Sequence, residues 1–121
     1  MSDRVLFISW GEPIAGREAH SIDVFNEALA LDARLQQEGR IDSFDVVILR
    51  NQGPIEGYIV LHGSAEQIAA LPEDDEFMRS MISASLVVHD FRMADGYTGE
   101  AVGHMMSLYQ EAVESVPQPA S

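Results

Sequence analysis

A hairpin at the middle of the chain constrains the fold more than any other feature. Ser43–Arg50 (SFDVVILR) and Ile55–His62 (IEGYIVLH) are apolar and rich in β-branched and aromatic residues, and only the turn-forming cluster Asn51-Gln-Gly-Pro54 separates them. An isolated hairpin is marginal in water and needs further strands or a helix to cover it. The chain provides both on each side. Before the hairpin, Arg4 to Trp10 is short, apolar and bounded by Gly11 and Pro13, which predicts a buried strand. A helix follows from about Arg17 to Glu38. Its apolar positions Val24, Ala28, Leu31 and Leu35 fall at helical spacing, Phe25 and Leu29 widen that face, and Gly39 sits where a helix stops. After the hairpin, Ser64-Ala-Glu-Gln67 has the form of a capping box opening a short helix that Pro72 interrupts. A second helical piece begins with Glu73-Asp-Asp-Glu76, acids suited to a helix start, and buries Phe77, Met81 and Ala84. Leu86 to Ala94 is predicted as a fourth strand. Thr98 to Ser115 is predicted as a last helix with Ala101, Met105, Leu108, Tyr109 and Ala112 on one face.

The order strand, helix, strand, strand, helix, strand contains two strand-helix-strand units joined by the hairpin. With right-handed crossovers it closes into a four-stranded antiparallel sheet in the order 4-1-3-2, with helices on one face. This is a ferredoxin-like α+β plan, βαββαβ with a C-terminal helix. The second strand is apolar on both alternating faces, with Phe44, Val46 and Ile48 on one side and Val47 and Leu49 on the other. One helical layer covers one face, so the other is expected to meet a symmetric partner sheet and form a homodimeric α+β barrel. Residues 1–116 read as one domain and 117–121 as a flexible tail.

Up to Val116 the chain resembles an uncharacterised group of bacterial dimeric α+β barrel proteins. The residues that carry the resemblance are Trp10-Gly-Glu-Pro13, Gly16-Arg-Glu18, Gly39-Arg-Ile-Asp-Ser-Phe44 and Gly57-Tyr58. None of these is a catalytic motif. The wider superfamily that such a fold resembles includes cofactor-independent monooxygenases, haem enzymes, isomerases and proteins without known activity, and fold alone does not choose among them.

Composition removes several chemistries. There is no lysine, which excludes Schiff-base catalysis, and no cysteine, which excludes thiolate nucleophiles, disulfides, iron–sulfur clusters and sulfur-bound zinc. A formal charge of -13 disfavours nucleic acid and anionic membranes as partners. The start, Met1-Ser-Asp-Arg4, has no leader character, and the apolar runs fall far short of the ~20 residues of a membrane span, so a cytoplasmic protein is expected. The four histidines show no metal-ligand spacing, and neither a metal nor a cofactor is expected. His104, with Glu100 and Glu111, reads as a solvated helix face. His89 and Asp90, as strand neighbours, would point to opposite faces. Asp32 lies inside the widened apolar arc of the first helix. Either it needs a partner or water, or the arc is wider than the buried stripe and Asp32 reaches solvent.

The inferred topology brings the end of the first strand, the start of the first helix, the hairpin and the start of the fourth strand to one rim. Trp10, Arg17, His20, Arg50, Tyr58 and His89 lie at or near it, a set suited to a small carboxylate, enolate or phosphate beside a helix start. The competing reading has Trp10 filling the core while Arg17 and Arg50 pair with surplus acids. Two functions follow. The first is a noncatalytic homodimeric module that binds a small organic anion or serves a structural or regulatory role. The alternative is a cofactor-independent monooxygenase or isomerase for a small enolisable organic substrate, with Trp10 shaping an apolar pocket and His20 or His89 moving a proton. A pocket between sheet and helices that carries a partnered histidine would favour the enzyme, and a filled core would favour the module.

Overall fold

The computed structural model describes residues 2–50, 53–117 and 119. The elements are β1 (Arg4–Trp10), α1 (Glu18–Gln37), β2 (Ser43–Ile48), β3 (Gly57–Gly63), α2 (Ala65–Ala70), a 3₁₀ turn (Leu71–Glu73), α3 (Asp75–Ser85), β4 (Arg92–Tyr97) and α4 (Glu100–Ser115). The sheet runs β2-β3-β1-β4 with every neighbouring pair antiparallel, which is the ferredoxin-like order expected from the sequence. Two of the hairpin residues, 51 and 52, and three of the expected tail, 118, 120 and 121, lie outside the described residues.

Local chemistry accounts for the element ends. At the end of α1, Gly39 takes a φ of 74°, its N–H donates to the Gln36 carbonyl, and the Arg40 N–H donates to the Leu35 carbonyl. This is a Schellman stop, which a residue with a Cβ would strain. At the start of α2, the Gln67 N–H donates to the Ser64 hydroxyl while the Gln67 side chain accepts from the Ser64 N–H, so the capping box is complete. Asp74 caps α3 by accepting from the Phe77 N–H. Helices α1 and α3 lie side by side and run in opposite directions: Arg34, late in α1, pairs with Glu76, early in α3, whereas Arg17, at the start of α1, reaches Leu86, at the end of α3.

The core lies between these helices and one sheet face. Leu6 and Ile8 of β1 and Ile59 and Leu61 of β3 meet Leu31 and Leu35 of α1 and Phe77 and Met81 of α3. The opposite face carries Val5 and Phe7, Tyr58 and Val60, and Val47, as the cross-strand register requires. Among the described residues, the helices that build the core, α1 and α3, lie on the other face.

Three expectations need correction. The fourth strand spans Arg92–Tyr97, not Leu86 to Ala94. Val87 is instead drawn into the core and Val88 makes a single bridge to Pro13, so the apolar character of that stretch reflects packing under a loop. His89 and Asp90 consequently lie on that loop, with Asp90 at a φ of 55°. Second, the sheet is open, ending at β2 and β4, and does not close into a barrel within the chain. Third, α4 packs chiefly on β4 and buries only Ala101, leaving Leu108 and Tyr109 of its expected core face exposed.

Candidate functional site

Three chain segments converge where β1 ends. The Glu56 N–H donates to the Trp10 carbonyl, the Gly11 N–H to the His89 carbonyl, and the His89 N–H to the Glu12 carbonyl, each at 2.8 Å. The approach is close enough to need glycine: a Cβ on Gly11 would lie 2.7 Å from the Pro54 carbonyl oxygen and 3.0 Å from that of His89. The rim inferred from topology is thus formed by backbone pairing.

Beneath the rim is an apolar cavity of about 200 Å³ between α1, α3 and the helix-facing side of the sheet. Its floor is Ile8, Trp10 and Ile59, and its walls are Val24, Phe25 and Ala28 of α1 with Met81 and Ala84 of α3. Val87, Val88 and Phe91 close the side toward β4. Ile22 and Ile48, 60% and 62% exposed, mark the mouth between α1 and the β2 edge. Ser21 and Glu56 supply side-chain polarity to the lining, along with the Trp10 indole N–H. No histidine is among the described lining residues.

Trp10 owes its position to its cross-strand partner. Gly57 sits opposite it, and a Cβ there would fall 2.7 Å from the indole Cζ2. The bare backbone of β3 lets the ring lie down over the sheet, where Phe25 meets it edge-on at 5.6 Å between centroids.

The other residues singled out in the sequence are distributed around this pocket. Arg17 is exposed and donates to the Leu86 carbonyl at 2.6 Å, so it clamps the start of α1 to the end of α3 without pairing with an acid. His20 is exposed on the first turn of α1, next to Ser21 at the mouth, and Arg50 is exposed just beyond β2. His89 contributes backbone hydrogen bonds to the rim while its side chain is exposed. Tyr58 lies on the opposite face of the sheet, stacked at 5.3 Å on Phe7. Trp10 is therefore in the cavity and Tyr58 is not. The sequence reading missed Val87, Val88 and Phe91 as pocket wall, because it assigned all three to a strand, Leu86 to Ala94. The glycine paired with a terminal tryptophan was the available signal for the ring's placement.

Asp32 resolves in the less expected direction. It is 2% exposed on the same α1 stripe as Val24 and Ala28, and no described residue makes a hydrogen bond or ion pair with it. Burial pushes its carboxyl up to about 7. A wider cleft of about 430 Å³ lies at the other end of the sheet, bordered by Arg4, Ile68, Pro72, Met93 and Asp95. Among the described residues no three histidine or acidic side chains are grouped to hold a metal ion, and no helix is long and apolar enough to cross a membrane.

No family model matches the chain, and the search of curated proteins returns no match. Solved structures do match. A dimeric ferredoxin-like protein of unknown function from Jannaschia sp. aligns with 13% identity over 77% of this chain and 97% of its own, at a TM-score of 0.61. A protein of unknown function from Nitrosomonas europaea aligns over 100% of this chain and 98% of its own, with 15% identity and a TM-score of 0.58. SnoaB, a cofactor-independent oxygenase from Streptomyces nogalater, aligns over 81% of this chain and 93% of its own, with 11% identity and a TM-score of 0.56. These likenesses establish a shared ferredoxin-like fold.

Proposed function

We propose that the chain is a cofactor-independent enzyme, a monooxygenase or isomerase, acting on a small, flat, enolisable organic molecule held in the Trp10 pocket. The observation that carries this reading is the cavity itself: an apolar space of about 200 Å³ between the sheet and two helices of a small domain. A module with a purely structural role has less reason to keep such a space open. The likeness to an oxygenase that works without a cofactor supports the same reading.

The walls suit a conjugated ring. Once an enolisable C–H loses its proton, the electron pair is delocalised into that ring. The carbanion then either is reprotonated at another carbon or adds dioxygen, in which case a CH₂ and O₂ become a C=O and water. Trp10 and Phe25 would hold the ring, while Ser21 and Glu56 at the mouth, with His20, Arg50 and His89 outside it, would meet polar or anionic substituents. Arg17 would act by fixing α1 against α3.

The same proposal includes a homodimer. A second copy would cover Val5, Phe7, Val47, Tyr58 and Val60 on the outer sheet face and give α4 an apolar neighbour, completing the barrel across two chains. The enzymatic reading is tested by incubating the protein with 2-tetralone in air and following both solvent deuterium uptake and replacement of CH₂ by C=O by mass spectrometry. The parent should accelerate one of the two, and Trp10→Ala should lose most of that rate while staying folded. Equal rates with and without protein would overturn the reading.

A further inference from the structure

Large side chains give way to small ones on three elements at the Trp10 end of the core. On the helix-facing side of β3, Leu61 and Ile59 are followed toward that end by Gly57. On α1, the buried Leu35 and Leu31 give way to Ala28, and on α3, Phe77 and Met81 give way to Ala84. Because the two helices are antiparallel, with Arg17 reaching Leu86, both alanines fall at the same end, and both line the cavity with Trp10. Only β1 grows there, from Ile8 to Trp10. A large ring beside small neighbours would ordinarily conserve volume and fill the core. Here about 200 Å³ stays open in spite of the ring. Gly57 also sets how the ring lies. The indole Cζ2 comes within 2.7 Å of the place a Cβ would take, and the Ile48 Cδ1 within 3.2 Å, so the ring rests on bare β3 backbone with Ile48 beside it.

Resting on the pocket reading above, we propose that Gly57, Ala28 and Ala84 are the specificity-determining residues of the cavity. They make a slot one aromatic ring thick against Trp10, and the slot selects a flat ligand whose inserted part is uncharged. Gly57 keeps the indole down on the sheet, and the two alanines hold back the helix side, where leucines would close the gap. A dry apolar cavity of roughly 150 Å³ accepts benzene. The space here therefore holds one ring and the start of a second, with the rest of the molecule at the mouth beside Ile22 and Ile48. No basic residue is among the described lining residues, so a carboxylate or phosphate pushed into the slot would lose water without gaining a counter-charge. A polar group of the ligand accordingly stays at the mouth.

The test follows the indole N–H signal of Trp10, the only tryptophan of the chain, in proton–nitrogen correlation spectra of the full chain. Working under nitrogen reads binding at the cavity without oxidation. The probes are 2-tetralone, which is flat, and 2-adamantanone, a ketone of equal carbon number and rounded shape. The parent should bind 2-tetralone about tenfold more tightly than 2-adamantanone. Ala28→Leu and Ala84→Leu should each weaken 2-tetralone about tenfold, while the unfolding midpoint holds or rises because the added carbons enter space that is already empty. Variants on two different helices keep the test open if one of them does not fold. Gly57→Ala is unsuitable, since its Cβ would also meet the Val47 carbonyl oxygen at 2.8 Å. Folded leucine variants that bind 2-tetralone as the parent does would overturn the assignment of the alanines and leave the pocket reading standing. A parent that binds both ketones alike would overturn the slot in the same way. A parent whose indole signal ignores both ketones would overturn the pocket reading and the slot together.

Discussion

The two faces of the sheet are made of similar residues and meet different fates. Along β1, Leu6 and Ile8 point to the helices and are buried, while Val5 and Phe7 point away and remain half-exposed. Along β3, Ile59 and Leu61 are buried, and Tyr58 and Val60 on the reverse side are half-exposed. An amphipathic strand would place polar residues on the reverse side, yet the main polar contact there is His62 with Asp45, at 2.9 Å. The helix side is in turn uneven. Its middle holds the buried cluster around Leu61 and Phe77, and its Trp10 end is left open, where Ile48 stands exposed. Apolar sequence shows which surfaces are unfavourable in water, but it does not show whether the chain, a second chain or a ligand covers them.

The largest expected effect falls on the covered face. Leu61 has no exposed surface and sits on a central strand between Leu6 and Phe44, so Leu61→Ala leaves a hole with little room to collapse. The loss should be about 4–5 kcal/mol in denaturant unfolding and should not depend on protein concentration. A loss below about 1 kcal/mol would mean that this end of the core is as loosely filled as the Trp10 end.

Asp32 gives the next largest effect and separates the polar part of the covered side from its apolar part. Its carboxyl titrates at about 7 in the folded chain and at the ordinary 3.8 when exposed, so the folded state holds an extra proton between those values. Stability must then fall as pH rises through that window, and the whole penalty is present above it. Relative to Asp32→Asn, which cannot ionise, the parent should lose about 3–4 kcal/mol between pH 4 and pH 8. Using the difference between parent and variant cancels the contributions of the other carboxylates. A difference that stays constant with pH would place Asp32 in contact with water.

These contrasts explain how far the sequence could be read. Strand order, the Gly39 stop and the Ser64 capping box are local or topological rules, and each was legible. The fourth strand was not. Leu86-Val-Val88 has the composition of a strand, whereas the actual strand, Arg92-Met-Ala-Asp-Gly-Tyr97, contains Asp95 and Gly96, which disfavour strands. Pairing with β1 overrides that propensity, and Gly96 lies directly opposite Val5. The cavity was illegible for another reason. Trp10, Phe25 and Met81 all read as core residues, and only their placement in three dimensions shows that they do not close on one another. The burial of Asp32 is a matter of how α1 packs in three dimensions, which helical spacing alone does not set.

The smallest expected effect for a chain on its own, and the one that decides between the two faces, belongs to Phe7. Its ring is half-buried against Tyr58 on the open side of β1. In a dilute solution of single chains, Phe7→Ala should cost only about 1 kcal/mol, since part of the ring already faces water. If a second copy covers this face, the same substitution acts on association as well. The parent's unfolding midpoint should then rise with protein concentration, because a partner that binds only the folded state stabilises it by mass action. Phe7→Ala should flatten that dependence and move the sedimentation boundary toward the monomer. Leu61→Ala, by contrast, should lower stability without abolishing the concentration dependence. If parent and Phe7→Ala both sediment as monomers and unfold at midpoints that ignore concentration, the outer face is not a dimer interface, and its apolar residues would need a different partner.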